Sequence, residues 1–360
     1  MEPRKTRREE EGASVGRLSA FLAGQRPDRV PLYLYGFGFC TRMAGYPISR
    51  IYDDVEKSFW AQTWTKEMYD SEDLIRIPFI THGTAEFGGE IKMPSSEWSQ
   101  APSISRYPVQ SEEDVAKLEL PDVRTAGLLP MLMEFSKLQD NLGSPIIPCT
   151  VGGSVSRAAN LCGVDKLCRW MIRKPELVHK LVRLITDHFL DMIRYWVDTF
   201  GPERVILFGG CATESNQVIS PKQFKEFAFP YLKEMGEKAL ALGIKHIFYH
   251  ICGEQNLNLP YWAQIPMGDP GIASFGHEID LTTAIEYLGD TCIIAGNVEP
   301  AVIQTGTPQQ VYELAKQCIE KGKYAPRGFM LMSGCELPPM APPYNVYVMK
   351  KAVEDFGWYD

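Results

Sequence analysis

In the segment "IFYHICGEQ" (247–255) an imidazole, His250, and a thiol, Cys252, stand two residues apart at the end of an apolar run. A third candidate, Cys335, follows far downstream in "LMSGCELPPMAPP" (331–343). His, Cys and Cys are ligand types that zinc prefers, and three protein ligands leave a fourth position for a substrate or another side chain. Glu214, in "GGCATES" (209–215), is placed to be that fourth ligand, to orient His250 from behind, or to face solvent from a loop. The nine cysteines are odd in number and irregular in spacing, unlike a disulfide framework. Cys149, Cys162, Cys168, Cys211, Cys292 and Cys318 are read as small buried hydrophobes, whereas Cys40 is placed where it could line a pocket. His179 and His188 fall on a helix, at the surface or the core edge, and His246 opens its strand at the end away from His250.

Cys252 and Cys335 need a fold that brings them together. Eight short apolar runs mark predicted strands: "VPLYLYGF" (30–37), "DLIRIPF" (73–79), "PIIPCTV" (145–151), "RVILFGG" (204–210), "KHIFYHI" (245–251), "IASF" (272–275), "TCIIAGN" (291–297) and "GFMLMSG" (328–334). Helical patterns separate most of them. Residues 175–200 carry apolar side chains at three- and four-residue steps, 220–243 opens on Ser220-Pro221 and closes on Gly243, and 307–322 opens on Thr307-Pro308. Alternating strand and helix implies a parallel sheet, and eight strands predict an α/β fold of the (β/α)8 TIM-barrel type. Glycine-rich 81–98 predicts an inserted hairpin after the second strand. A dinucleotide-binding open sheet would need G-x-G-x-x-G after its first strand, and "YGFGFCTR" does not supply it.

In a barrel of this type active sites lie at the C-terminal strand ends. His250, Cys252, Cys335 and Glu214 then share one mouth. His277 and Glu278, beyond the sixth predicted strand, face it too and could protonate a leaving group, while Asn297 after the seventh could hydrogen-bond a substrate; Tyr344 is a weaker candidate. Tyr33, Tyr35, Phe37 and Phe39 alternate onto one face of the first predicted strand, an aromatic wall suited to a planar ring. Only Arg42, Arg76 and Arg327 are cations near predicted strand tops.

Hydrophobic residues at 45% and charged residues at 23% are those of an ordinary globular protein. A formal net charge of -8 argues against nucleic acid as a partner. No apolar run reaches the ~20 residues of a membrane span, and the N-terminal "RKTRREEE" has no apolar core of a signal peptide. The expectation is a cytoplasmic protein: a flexible tail over 1–15 and a single domain over 16–360.

The segments "LAGQRPDRVPLYL", "SPKQFKEFAFPYLKEM", "GNVEP" (296–300) and "PPYNVYVMKKAVEDFG", taken in order, resemble the uroporphyrinogen decarboxylase superfamily in its zinc-dependent, corrinoid-linked methyltransferase branch. The likeness runs over nearly the whole chain from about Gly16. It implies a zinc ion on His250, Cys252 and Cys335, and a corrinoid carried to the barrel mouth by a partner protein, since no Asp-x-His-x-x-Gly module of its own occurs here. The decarboxylase itself carries Arg-Gln-Ala-Gly-Arg after its first strand to hold carboxylates; "YGFGFCTRMAGYP" has only Arg42, so decarboxylation is not expected. The reading leans to methyl transfer from a methoxy-aromatic donor to cobalt (O-demethylation), with the aromatic wall as its support. The alternative is transfer from methylcobalamin to a thiol such as coenzyme M, which two zinc-bound thiolates favour because they weaken Lewis acidity. A non-catalytic, zinc-stabilised barrel is the reading outside enzymology.

Overall fold

The computed structural model describes residues 16–17, 19–72, 76, 83–94 and 102–360. Six strands, β3 (Ile147–Gly152), β4 (Val205–Cys211), β5 (Ile247–Ile251), β6 (Gly271–Phe275), β7 (Cys292–Val298) and β8 (Phe329–Ser333), pair in parallel in chain order. Each lies within two residues of the run that predicted it. Earlier in the chain, β1 (Glu90–Lys92) and β2 (Ser103–Arg106) pair antiparallel, so the predicted hairpin exists but its return strand lies beyond residue 98. The second predicted strand falls largely outside the described residues, as does the N-terminal tail.

The first predicted strand is shorter than its pattern. Leu32 bridges Leu331, with Tyr33 N–H donating to the Leu331 carbonyl and Leu331 N–H to that of Pro31, each at 2.9 Å. The chain therefore runs parallel to the outer edge of β8 over this stretch. On its far side Glu72 N–H reaches the Leu32 carbonyl at 2.7 Å, where the approach to the second predicted strand begins. By Phe37 the backbone has turned into a helix, α1 (Phe37–Met43).

Two apolar cores lie on opposite faces of this sheet. Residues at every second position, Ile206 and Phe208, Phe248, Ile272, Ile293 and Ala295, Met330 and Met332, cluster with Tyr33 and Tyr35. The others pack outward against the helices. Tyr33 and Tyr35 sit beside β8, yet Tyr33 meets the Phe248 ring at 6.1 Å and Tyr35 meets Phe208 at 5.6 Å, on β5 and β4. Only a sheet curled through most of a cylinder brings those strands face to face. The architecture is that of an α/β TIM barrel, and the first cluster fills its interior.

The helices start and stop where local chemistry dictates. The long helix α2 (Pro175–Phe200) opens on a proline and ends at Gly201, whose φ of 85° few side chains tolerate. Ser220 and Gln223 form a reciprocal capping box, and so do Thr307 and Gln310. A wide turn at Phe224–Ala228 precedes α3 (Phe229–Ala241), where Pro230 removes one helical N–H. His188 of α2 is fully buried, deeper than its sequence position suggested. Among the described residues no helix is long and apolar enough to cross a membrane.

Candidate metal centre and its pocket

The register of the sheet places four residues in a row near the barrel mouth: Gly152 opposite Gly210, Gly210 opposite His250, and His250 opposite Ser274. These cap the interior columns above Phe208, Phe248 and Ile272, so apolar filling gives way to glycine and polar groups. A Cβ at Gly210 would meet nothing within 4 Å. Open space therefore lies directly beside His250.

Ser274 fixes that histidine. Its Oγ is 2.9 Å from His250 Nδ1, whereas Nε2 is buried with no hydrogen-bond partner. An imidazole tied at one nitrogen and bare at the other is prepared to ligate a metal through Nε2, with Nδ1–H donating to the hydroxyl. Cys252 and Cys335 complete the group: the three ligand atoms lie within 4.8 Å of one another, and the two sulfurs are 3.7 Å apart. Gln255, fully buried, donates to the carbonyls of Cys211 and Cys252 at 2.8 and 3.1 Å and so pins the loop that carries Cys252. Ser333 Oγ donates to the Cys335 carbonyl at 2.6 Å and does the same after β8.

The contact between the two sulfurs holds the Cys335 thiol well below the ordinary range, aided by the adjacent His250, and drives Cys252 well above it. Two half-buried sulfurs, one of them held toward the thiolate, and a bare imidazole nitrogen fit a soft divalent cation such as zinc, with room for a fourth ligand toward Gly210.

Comparison with known proteins gives the family and the fold. The sequence profile described as uroporphyrinogen decarboxylase (URO-D) matches residues 14–356. The chain belongs to the uroporphyrinogen decarboxylase family. Within it methyltransferases match most of the chain, whereas a uroporphyrinogen decarboxylase such as that of Hordeum vulgare, 27% identical, matches 43% of it. The methylcobamide:CoM methyltransferase MtbA of Methanosarcina acetivorans is 26% identical over 291 residues, 79% of this chain and 80% of that protein. The methylcobamide:CoM methyltransferase MtaA of Methanosarcina barkeri is 24% identical over 358 residues, 94% and 97% of the two chains. A solved methyltransferase from Methanosarcina mazei superposes with a TM-score of 0.79 at 22% identity, covering 94% of this chain and 98% of its own, and so shares the fold.

Other expected site residues of this family member lie elsewhere or are engaged. Glu214 is buried, but its carboxylate accepts from Ser156 N–H at 3.0 Å and from the Ser156 hydroxyl, so it braces α4 (Ser154–Cys162) and leaves His250 to Ser274. Asn297 spends its amide N–H groups on the Gly276 and Ile279 carbonyls, at 3.0 and 2.7 Å, and is a staple between loops. His277 stays half-exposed at the mouth, 3.4 Å from Glu278. Tyr344 is exposed. The aromatic wall divides: Tyr33 and Tyr35 fill the barrel, Phe37 stacks edge-on to Tyr35 at 5.3 Å, and Phe39 turns outward onto Tyr69. The alternation broke because the backbone left the extended form at Phe37. Cys40 is buried, its thiol pushed up to about 12 by burial, and does not line the pocket.

The cations moved too. Arg42 donates to the Pro339 carbonyl at 2.6 Å. Arg327 precedes β8 and pairs with Asp269 at 2.7 Å, and Arg76 reaches Ser144 ahead of β3, so both serve the opposite end of the barrel. Two groups at the mouth went unnoticed in the sequence. Glu336, next to Cys335, accepts from the Phe37 and Gly38 amides at 3.3 and 3.4 Å and is pushed up to about 7 by burial. Arg157, in the first turn of α4, lies over Gly152.

Proposed function

We propose that the protein is a zinc-dependent methyltransferase that passes the methyl group of a corrinoid carried by a partner protein to a small thiol. The single observation that carries this reading is the donor set, two sulfurs and one imidazole beside open space at Gly210. A bound zinc ion would lower the pKa of a thiol entering the fourth position and keep it a nucleophilic thiolate at neutral pH. The chain's own residues do the rest. Ser274 aims the imidazole, Gln255 and Ser333 hold the two cysteine loops, and Gly152 and Gly210 leave room for the substrate. With the partner's corrinoid docked, the methyl carbon would pass to the thiolate sulfur and the electron pair of the carbon–cobalt bond would stay on cobalt. The thiol proton leaves to solvent through the mouth. The relatives' names, methylcobamide:CoM methyltransferases, support the same chemistry, and a corrinoid protein would dock at the C-terminal face of the barrel.

A methoxy-aromatic donor draws less support than the sequence promised, because the rings that were to receive it are largely inside the packed barrel or on its outer core. Decarboxylation of a polycarboxylate draws none from Arg42, which is committed to Pro339. The test is spectroscopic. Methylcobalamin with a panel of thiols should lose its cobalt-bound methyl group in the presence of the enzyme, and a chelator should stop it. A spectrum unchanged by every thiol, but showing methylcobalamin formed from cob(I)alamin and a methoxybenzene, would replace this reading with ether demethylation.

A further inference from the structure

A methyl acceptor must be recognised by more than its sulfur, and among the described residues Arg157 is a cation placed at the mouth to do so. A Cβ built on Gly152 would come within 2.6 Å of Arg157 Nε and 3.1 Å of its Nη2, so the guanidinium occupies the place a side chain at Gly152 would take. Gly152 is two strands from His250 in the same row of the sheet, about 10 Å away at the ~4.8 Å spacing of neighbouring strands. Gly210, the residue between them, faces open space. The cation and the metal ligands thus stand at opposite sides of one gap.

Arg157 is held there by its neighbour. Ser156 Oγ accepts from the Ala212 and Thr213 amides at 3.2 and 2.9 Å and donates to Glu214, tying the first turn of α4 to the loop after β4. The guanidinium itself is less committed. Its Nε is buried without a hydrogen-bond partner. Glu214 and Glu86 lie within electrostatic reach, as do Tyr35 and Cys211. Yet Glu214 is spent on Ser156, and Glu86 Oε2 accepts from the Gly83 amide at 2.8 Å. A buried donor left unmade beside a cavity is costly unless a ligand completes it.

We infer that Arg157 is the anion-binding residue of this pocket, gripping the charged end of a short thiol whose sulfur enters the His250–Cys252–Cys335 site. The inference rests on the thiol reading above. The gap suits two or three carbons between sulfur and a terminal sulfonate or carboxylate, once metal–sulfur and guanidinium–anion contacts are included.

Direct binding separates this assignment from the catalytic one. Calorimetric titration with ethanesulfonate, which has an anion but no thiol, and with 2-mercaptoethanesulfonate should show affinity for wild type that falls about tenfold or more in Arg157→Gln and partly returns in Arg157→Lys. Zinc content and thermal melting should match wild type in both variants. In turnover, the KM advantage of 2-mercaptoethanesulfonate over 2-mercaptoethanol should collapse in Arg157→Gln. Equal binding by wild type and Arg157→Gln, or none by either, overturns the assignment. Arg157-dependent binding by an enzyme that methylates no thiol would keep the anion site and overturn the function.

Discussion

A ring nitrogen that is buried and bare beside two sulfurs is the residue-scale fact on which the chemistry turns. Among the described residues His250 Nε2 has no hydrogen-bond partner, while Ser274 engages the other nitrogen. Removing that hydroxyl leaves the ligands in place but frees the ring to rotate. Ser274→Ala should therefore retain zinc with an affinity about 10- to 100-fold lower, while Cys335→Ala should hold essentially none and stay folded; elemental analysis after dialysis against a graded chelator checks both. Residue type and spacing singled out His250, Cys252 and Cys335, the resemblance to the family added the expectation of zinc, and the structure brings the three together. Ser274 was not singled out, because a serine in a four-residue apolar strand shows its purpose only when β5 and β6 are set in register. Glu214 misled for the converse reason: a carboxylate on the right rim looks available until the helix that consumes it is in view.

At the scale of elements, the junction of β3, α4 and the loop after β4 does the positioning. Gly153 sits where a Cβ would stand 2.0 Å from Glu214 Oε1. Gly153→Ala should push that carboxylate off Ser156, costing about 1–3 kcal/mol, and a lowered denaturant midpoint with unchanged slope would show it. The six later strands and the long helices were readable from periodicity, prolines and caps, since their local preferences agree with the tertiary fold. The first strand was not. Its aromatic alternation continued past the point where Glu336 accepts the Phe37 and Gly38 amides and the chain coils into α1, a contact between residues some 300 apart that no local pattern encodes.

At the scale of the whole molecule, stability should carry a signature of Glu72. Its carboxylate is buried, neither oxygen is hydrogen-bonded, and Arg17 approaches only to 4.0 Å. Burial pushes the group up to about 8 from an ordinary value near 4.5, with Arg17 and Arg29 opposing and Asp70 and Asp28 assisting. The folded state thus binds a proton that the unfolded chain has already lost. The stability this confers is complete below about pH 4.5 and disappears as the pH rises toward 8. Glu72→Gln should match wild type in acid and melt at a higher temperature by pH 8; melting curves across that window that stay superimposed would remove Glu72 as the cause.

The 3.7 Å between Cys252 and Cys335 also sets how the protein ages. Two sulfurs that close, one of them held toward the thiolate by its neighbour, need little movement to join once an oxidant removes two electrons and the remaining thiol proton leaves to solvent. The cross-link would tie β5 to β8 and withdraw both donors from any metal. A metal-depleted preparation handled in air should accordingly go silent while keeping its fold, and reductant must precede zinc to revive it. For this barrel an ion bound by the three side chains would be a guard against oxygen as much as a reagent.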